Sequence, residues 1–167
     1  AVAEGVLKQY PDKWFGCLAY SEVAAPPSNI KLHPRIIPFM TYDRMKWVDH
    51  SFETEGKKLT EDWLRQATVL GWYDYIYGTP YIVPRVYFHK MAEYYRYGCE
   101  HGVRAMYAEA YPNWGEGPKL YVSLKLQWNP YLDVDELLNE WYENCVGKAA
   151  APHLKSYYEL WENFWIK

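Results

Sequence analysis

The chain has 167 residues, half of them hydrophobic and under a quarter charged, which suits one sizeable core and excludes a disordered segment. Its formal net charge is −3 and no basic cluster appears, so the electrostatic footprint of nucleic-acid or anionic-membrane binding is missing. No uninterrupted apolar run reaches the roughly 18–20 residues that span a bilayer.

Residues 1–10 carry Val2, Val6 and Leu7 at helical spacing, and Pro11-Asp12 ends that helix. The run WFGCLAY fits a short buried strand that finishes in the polar Ser21-Glu22, and EVAAPPSNIKLHP reads as a Pro-rich loop. RIIPFMTYD reads as a second strand, where Pro38 suits an edge or a bulge better than a central ladder position. Residues 44–58 are polar and mixed and read as a loop. Thr60 then opens a helix through about Ala67, with acids in its first turn.

VLGWYDYIYG reads as a third strand. A loop and a helix follow, with Pro84 near the first turn, and VRAMYAEAY reads as a fourth strand before the loop PNWGEG. Pro118 starts a helix over KLYVSLKLQW. Asp133, with Glu136 three residues later, forms a capping box for a helix through about Cys145, stopped by Gly147. Pro152 starts a last helix rich in Tyr and Trp. The first residue is Ala, inside a helical pattern, and no signal peptide precedes it, so the sequence reads as a piece of something longer.

All four strands are short and apolar on both faces, the pattern of parallel strands in an α/β fold with covered faces. The order of strands and helices predicts about four parallel strands, half of a (β/α)8 barrel, followed by C-terminal helices in a single domain. A whole barrel takes roughly 200–250 residues or more. Such folds place their sites at the C-terminal ends of strands. Those ends carry Tyr20, Ser21 and Glu22; Tyr42, Asp43 and Arg44; Tyr73, Asp74, Tyr75 and Tyr77; and Glu109, Tyr111, Asn113 and Trp114. Side-chain alternation puts Tyr107 and Glu109 on one face of the last strand.

The most unusual feature is the aromatic content, 9 Trp, 18 Tyr and 5 Phe. Tyr and Trp join an apolar face to a hydrogen-bonding edge, which suits sugars, although most of these rings are expected in the core. Cleavage of a glycosidic bond generally needs two carboxyl groups, one to protonate the leaving oxygen and one as nucleophile, base or stabiliser. Glu109 and Asp74 are the candidates. Each reads either as a ligand-facing carboxylate or as an ion-paired structural one, because an unpaired carboxylate is costly to bury. Glu22 and Asp43 read more readily as loop anchors.

Other chemistries find little support. The five histidines have no zinc spacing, no phosphate-binding glycine pattern occurs, and GCLAYSE is no Gly-x-Ser-x-Gly elbow. No metal or cofactor is expected. Cys17, Cys99 and Cys145 are odd in number and far apart, with neither metal nor disulfide spacing, and read as small buried hydrophobes.

Three segments taken together resemble the DUF4838 family: YPDKWFGCLAYSEVAAPP, LGWYDYIYG with YIVPR, and GVRAMYAEAYPNWGEGPKLY through NPYLDVDELLNEWYENCVGKAAAP. The likeness runs from about residue 3 to 160. It implies a glycoside-hydrolase-like protein of bacterial origin, related in fold to the α-glucuronidase and hexosaminidase-like barrels. The four strands would then be the fifth to eighth of a barrel, and a general acid after strand four would lie upstream of Ala1. The resemblance implies that Glu109, Tyr111 and Trp114 line the substrate cleft, with Asp74, Tyr77 and Arg85 near it.

The expectation is therefore the wall of a cleft that binds or cleaves poly- or oligosaccharide, built with Tyr20, Glu22, Tyr42, Asp43 and Asn113 as further binding residues. The alternatives are a non-catalytic carbohydrate-binding or scaffold protein, and a structural role for the aromatics in packing or assembly. The expected partners are a carbohydrate and either a missing N-terminal barrel half or a second copy, since a half barrel leaves sheet edges open. The expected location is extracellular or periplasmic.

Overall fold

A computed structural model describes residues 2–76, 83–110 and 116–167. The chain runs α1 (Val2–Leu7), β1 (Phe15–Ala19), β2 (Ile36–Tyr42), α2 (His50–Gln66), β3 (Leu70–Tyr75), α3 (Phe88–Glu100), β4 (Val103–Glu109), α4 (Lys119–Trp128), α5 (Val134–Val146) and α6 (Ala151–Ile166). Short 3₁₀ turns occupy Ser21–Val23 and Arg44–Val48. The four strands form one all-parallel sheet in the order β1-β2-β3-β4. Parallel strands in chain order, with helices between them, are half of a (β/α)8-type barrel, and α5 and α6 follow it.

Three expectations need correction. Residues 44–58 are not a loop, because α2 starts at His50, ten residues before Thr60. Asp49 caps it, its carboxylate accepting from the Ser51 N–H at 2.8 Å. The helical period is hidden because α2 buries Gly56, Thr60 and Trp63, of which only the last is strongly apolar. Gly56 is there because the Trp47 indole lies against it, leaving no room for a Cβ. The cysteines are not uniformly buried either: Cys17 and Cys145 are exposed, and all three are free.

Pro38 stands in an inner strand, not at an edge. The Phe15 N–H bonds the Arg35 carbonyl at 2.9 Å, which turns Arg35 toward β1. By alternation the Pro38 nitrogen then faces β3. The β2–β3 ladder begins one residue later, at Phe39–Gly71, so the absent N–H costs no ladder bond.

Register sorts the side chains onto two faces. Ala19, Met40, Trp72 and Met106 are paired across the sheet on one face, and Leu18, Phe39, Gly71 and Ala105 on the other. The first face carries the core. Met40, Leu70 and Trp72 are buried there beneath Trp47, Tyr94 and Tyr97. Trp72 meets Trp47 edge-on at 5.8 Å and stacks with Tyr97 at 6.4 Å. About half of the aromatic side chains among the described residues thus belong to the core or pack against it. The second face is not covered in the same way: Leu18 is 55% exposed and Tyr107 54%.

The C-terminal helices close on α3. Asp133 accepts from the Glu136 N–H at 3.0 Å to cap α5, and Gly147, with φ 77°, ends that helix. Tyr142 and Tyr158 stack at 6.0 Å between α5 and α6, and the Trp165 indole donates to the Pro84 carbonyl at 2.6 Å. Among the described residues, no helix is long and apolar enough to cross a membrane.

Candidate functional site

The two candidate carboxylates are brought to opposite faces of the sheet. Asp74 pairs with Ala108 and Tyr42, so it shares the helix-covered face with Trp72, two residues earlier. It is fully buried, and its Oδ1 accepts from the Arg44 N–H at 3.2 Å. The Arg44 guanidinium lies 3.7 Å from the same oxygen and 3.9 Å above the Trp72 ring. It also donates to the carbonyls of Met40, Tyr42 and Tyr73, each at 3.3 Å. Burial pushes the Asp74 carboxyl above its ordinary range against the pull of Arg44. This geometry fits a structural ion pair at the sheet–helix interface.

Glu109 occupies the open face at the C-terminal end of β4, paired in register with Tyr75. The Tyr73 hydroxyl donates to its Oε2 at 2.6 Å. Tyr73 in turn stacks on Tyr107 at 4.6 Å and meets Tyr75 at 5.6 Å. The bond to Glu109 raises the Tyr73 phenol well above its ordinary value, so Tyr73 keeps its proton and serves as a donor. Three rings and one carboxylate therefore share a partly exposed patch at the strand ends. Tyr73 and Tyr107 form a ring floor, with Glu109 and Tyr75 one layer nearer the rim.

The strand-end connections are tied by a second, buried polar group. Asp43 follows β2 and caps the 3₁₀ turn after it, its Oδ1 accepting from the Met45 N–H at 3.2 Å. Both its oxygens receive Arg85 Nη2 at 2.7 Å. The Lys119 ammonium, at the start of α4, donates to the Arg85 carbonyl at 2.7 Å and pairs with Glu116. Burial lowers the Lys119 pKa to about 8, although Glu116 works against that shift. Asp43 thus anchors a loop, and Arg85 holds that loop to the connection before α3.

The remaining candidates are more scattered. Tyr20 is exposed at the end of β1, and Glu22 is exposed in the turn after it. Glu22's own backbone N–H, and then Ser21, hold its carboxyl below the usual range. Tyr42 is half-buried on the helix side, with its hydroxyl 3.5 Å from the Phe52 carbonyl. Tyr77, Tyr111, Asn113 and Trp114 lie outside the described residues.

Sequence reasoning singled out Glu109 as a candidate and passed over Tyr73 as its hydrogen-bond partner. The signal was available: Tyr73 and Tyr75 alternate with Asp74, and Tyr107 shares a face with Glu109, but cross-strand register was needed to join them. Among the described residues, no group of three or more His, Cys, Asp or Glu gathers as metal ligands would.

The match to known families falls on the same segments. A family described as "Domain of unknown function (DUF4838)" matches residues 1–159. The chain belongs to the DUF4838 family. That match takes in every strand and the strand-end patch, and stops within α6. No curated protein matches the chain. No solved structure matches it.

Proposed function

We propose that this DUF4838 chain forms one wall of a carbohydrate cleft in a glycoside-hydrolase-like barrel, with Glu109 as its sugar-facing carboxylate. The observation that carries the reading is the Tyr73–Glu109 pair, 2.6 Å apart on the face that the helices leave open, at the C-terminal strand ends. A carboxylate accepts hydrogen bonds from sugar hydroxyls, and the flanking rings offer apolar surface to the C–H face of a pyranose. Tyr73 holds one oxygen of Glu109 in place, which fixes the direction in which the carboxylate meets its ligand.

Binding without cleavage by this chain alone is the form of the reading that the geometry favours. Asp74 lies on the other face of the sheet and cannot join Glu109 as the second carboxyl group. Calorimetric titration with a panel of neutral and acidic oligosaccharides tests the proposal. Glu109→Gln should weaken binding about tenfold or more, the effect of losing a charge-assisted hydrogen bond. Tyr73→Phe should weaken it less. Unchanged affinity in Glu109→Gln would remove that residue from the site.

A further inference from the structure

The last helix reaches back to the strand ends. Its buried residues are Ala151, Tyr158 and Glu162, and Trp165 continues the same stripe at helical spacing. That stripe meets the segment that leads from β3 into α3. The Trp165 indole donates to the Pro84 carbonyl at 2.6 Å. Glu162 accepts from the His89 N–H at 2.8 Å through Oε1 and meets the His89 ring Nδ1 at 2.9 Å through Oε2. Tyr158 meets Phe88 edge-on at 6.3 Å. Residues 84–88 are all buried.

The same stripe meets the connection from β4 to α4. Gly117, with φ 56°, lies so close to the Tyr158 phenol ring that a Cβ there would strike it. From there a chain of polar contacts runs on across the strand ends. Glu116 pairs with Lys119, and Lys119 donates to the Arg85 carbonyl at 2.7 Å. Arg85 binds Asp43, after β2, at 2.7 Å. One face of α6 thus touches the connections after β3 and β4 directly and reaches the turn after β2 through Arg85.

We propose that α6 positions the strand-end connections, with Tyr158, Glu162 and Trp165 as its positioning residues. The connections after β3 and β4 leave the sheet beside Tyr75 and Glu109, where the Ile76 N–H bonds the Glu109 carbonyl at 3.0 Å. In the sequence they carry Tyr77, Tyr111, Asn113 and Trp114. A close-packed interior transmits a displacement and does not absorb it, so a shift at Trp165 or Glu162 moves Arg85 and, through it, Asp43. The consequence for sugar binding rests on the carbohydrate reading; the link from α6 to Asp43 does not.

Trp165→Phe keeps a ring and removes the indole donor. The Met45 amide, which donates to Asp43, should shift in the nuclear magnetic resonance spectrum of that variant. Calorimetric titration with the oligosaccharide panel should show affinity reduced about threefold to tenfold, with the far-ultraviolet circular dichroism unchanged. Lower stability by itself leaves the affinity of a folded chain unaltered, so the titration separates positioning from packing alone. Glu162→Gln keeps an acceptor for the His89 N–H and loses the charge. It should act in the same direction more weakly, and it replaces Trp165→Phe if that variant does not fold. Leu160→Ala, on the exposed side of α6, should change neither readout. A Met45 amide that stays in place in both variants overturns the proposal. So does affinity that both variants leave unchanged, or that Leu160→Ala lowers equally. A native chain that binds no sugar, with a Met45 amide that still shifts, keeps the positioning and refutes the cleft.

Discussion

Replacing Asp74 by Ala removes the counter-charge of an arginine that is itself fully buried. Arg44 keeps the carbonyls of Met40, Tyr42 and Tyr73 and the face of Trp72, but no anion remains beside it. Removing one partner of such a pair costs about 3–5 kcal/mol. For a domain of this size, roughly 2–4 °C is lost per kcal/mol, so the melting temperature should fall by about 10 °C. In urea the midpoint should drop with an unchanged slope, because the surface exposed on unfolding is unaltered. If Asp74→Ala is too unstable to purify, Arg44→Met with Asp74→Leu should restore a folded chain, since an apolar pair also removes the stranded charge. Oligosaccharide affinity should survive in that double variant. Asp74→Ala within about 1 kcal/mol of the native chain would refute the structural role. Intact stability with lost sugar binding would place Asp74 in the cleft.

Gly56→Ala should destabilise by about 1–3 kcal/mol, as over-packing does, because the new Cβ meets the Trp47 indole. Helix propensity alone gives the opposite sign, a gain of about 1 kcal/mol, so chemical denaturation separates the two arguments. His89 binds Glu162 with its ring Nδ1 at 2.9 Å and its backbone N–H at 2.8 Å, joining α3 to α6, and the ring pKa is raised chiefly by that hydrogen bond. The stabilisation from this raised value is fully present below the unfolded value of about 6.5 and is lost as pH rises through the folded pKa. The stability difference between the native chain and His89→Gln should therefore shrink as pH rises across that window. A difference that grows with pH would contradict the pairing.

The parallel sheet was legible because its strands are short apolar runs ending in polar and aromatic residues, and β3 and β4 start within a residue or so of their expected places. The capping residue Asp133 and the stop at Gly147 delimit α5 by local chemistry, which a sequence displays directly. The start of α2 was not legible. Its buried stripe begins with Gly56 and Thr60, whose places are dictated by Trp47 and Met40 from other elements. The candidate site divides in the same way. Glu109 is visible as a carboxylate at a strand end. That Asp74, one position off the open-face alternation, turns to Arg44 on the other face follows only from register and packing.

The most direct test of the cleft is nuclear magnetic resonance of the native chain during titration with the oligosaccharide that binds best in calorimetry. Shift changes should concentrate on Tyr73, Tyr75, Tyr107 and Glu109 at the open strand ends, and Glu109→Gln should reduce them. Saturable changes confined to the helix-covered side around Arg44 and Asp74, or none with any sugar in the panel, would contradict the account.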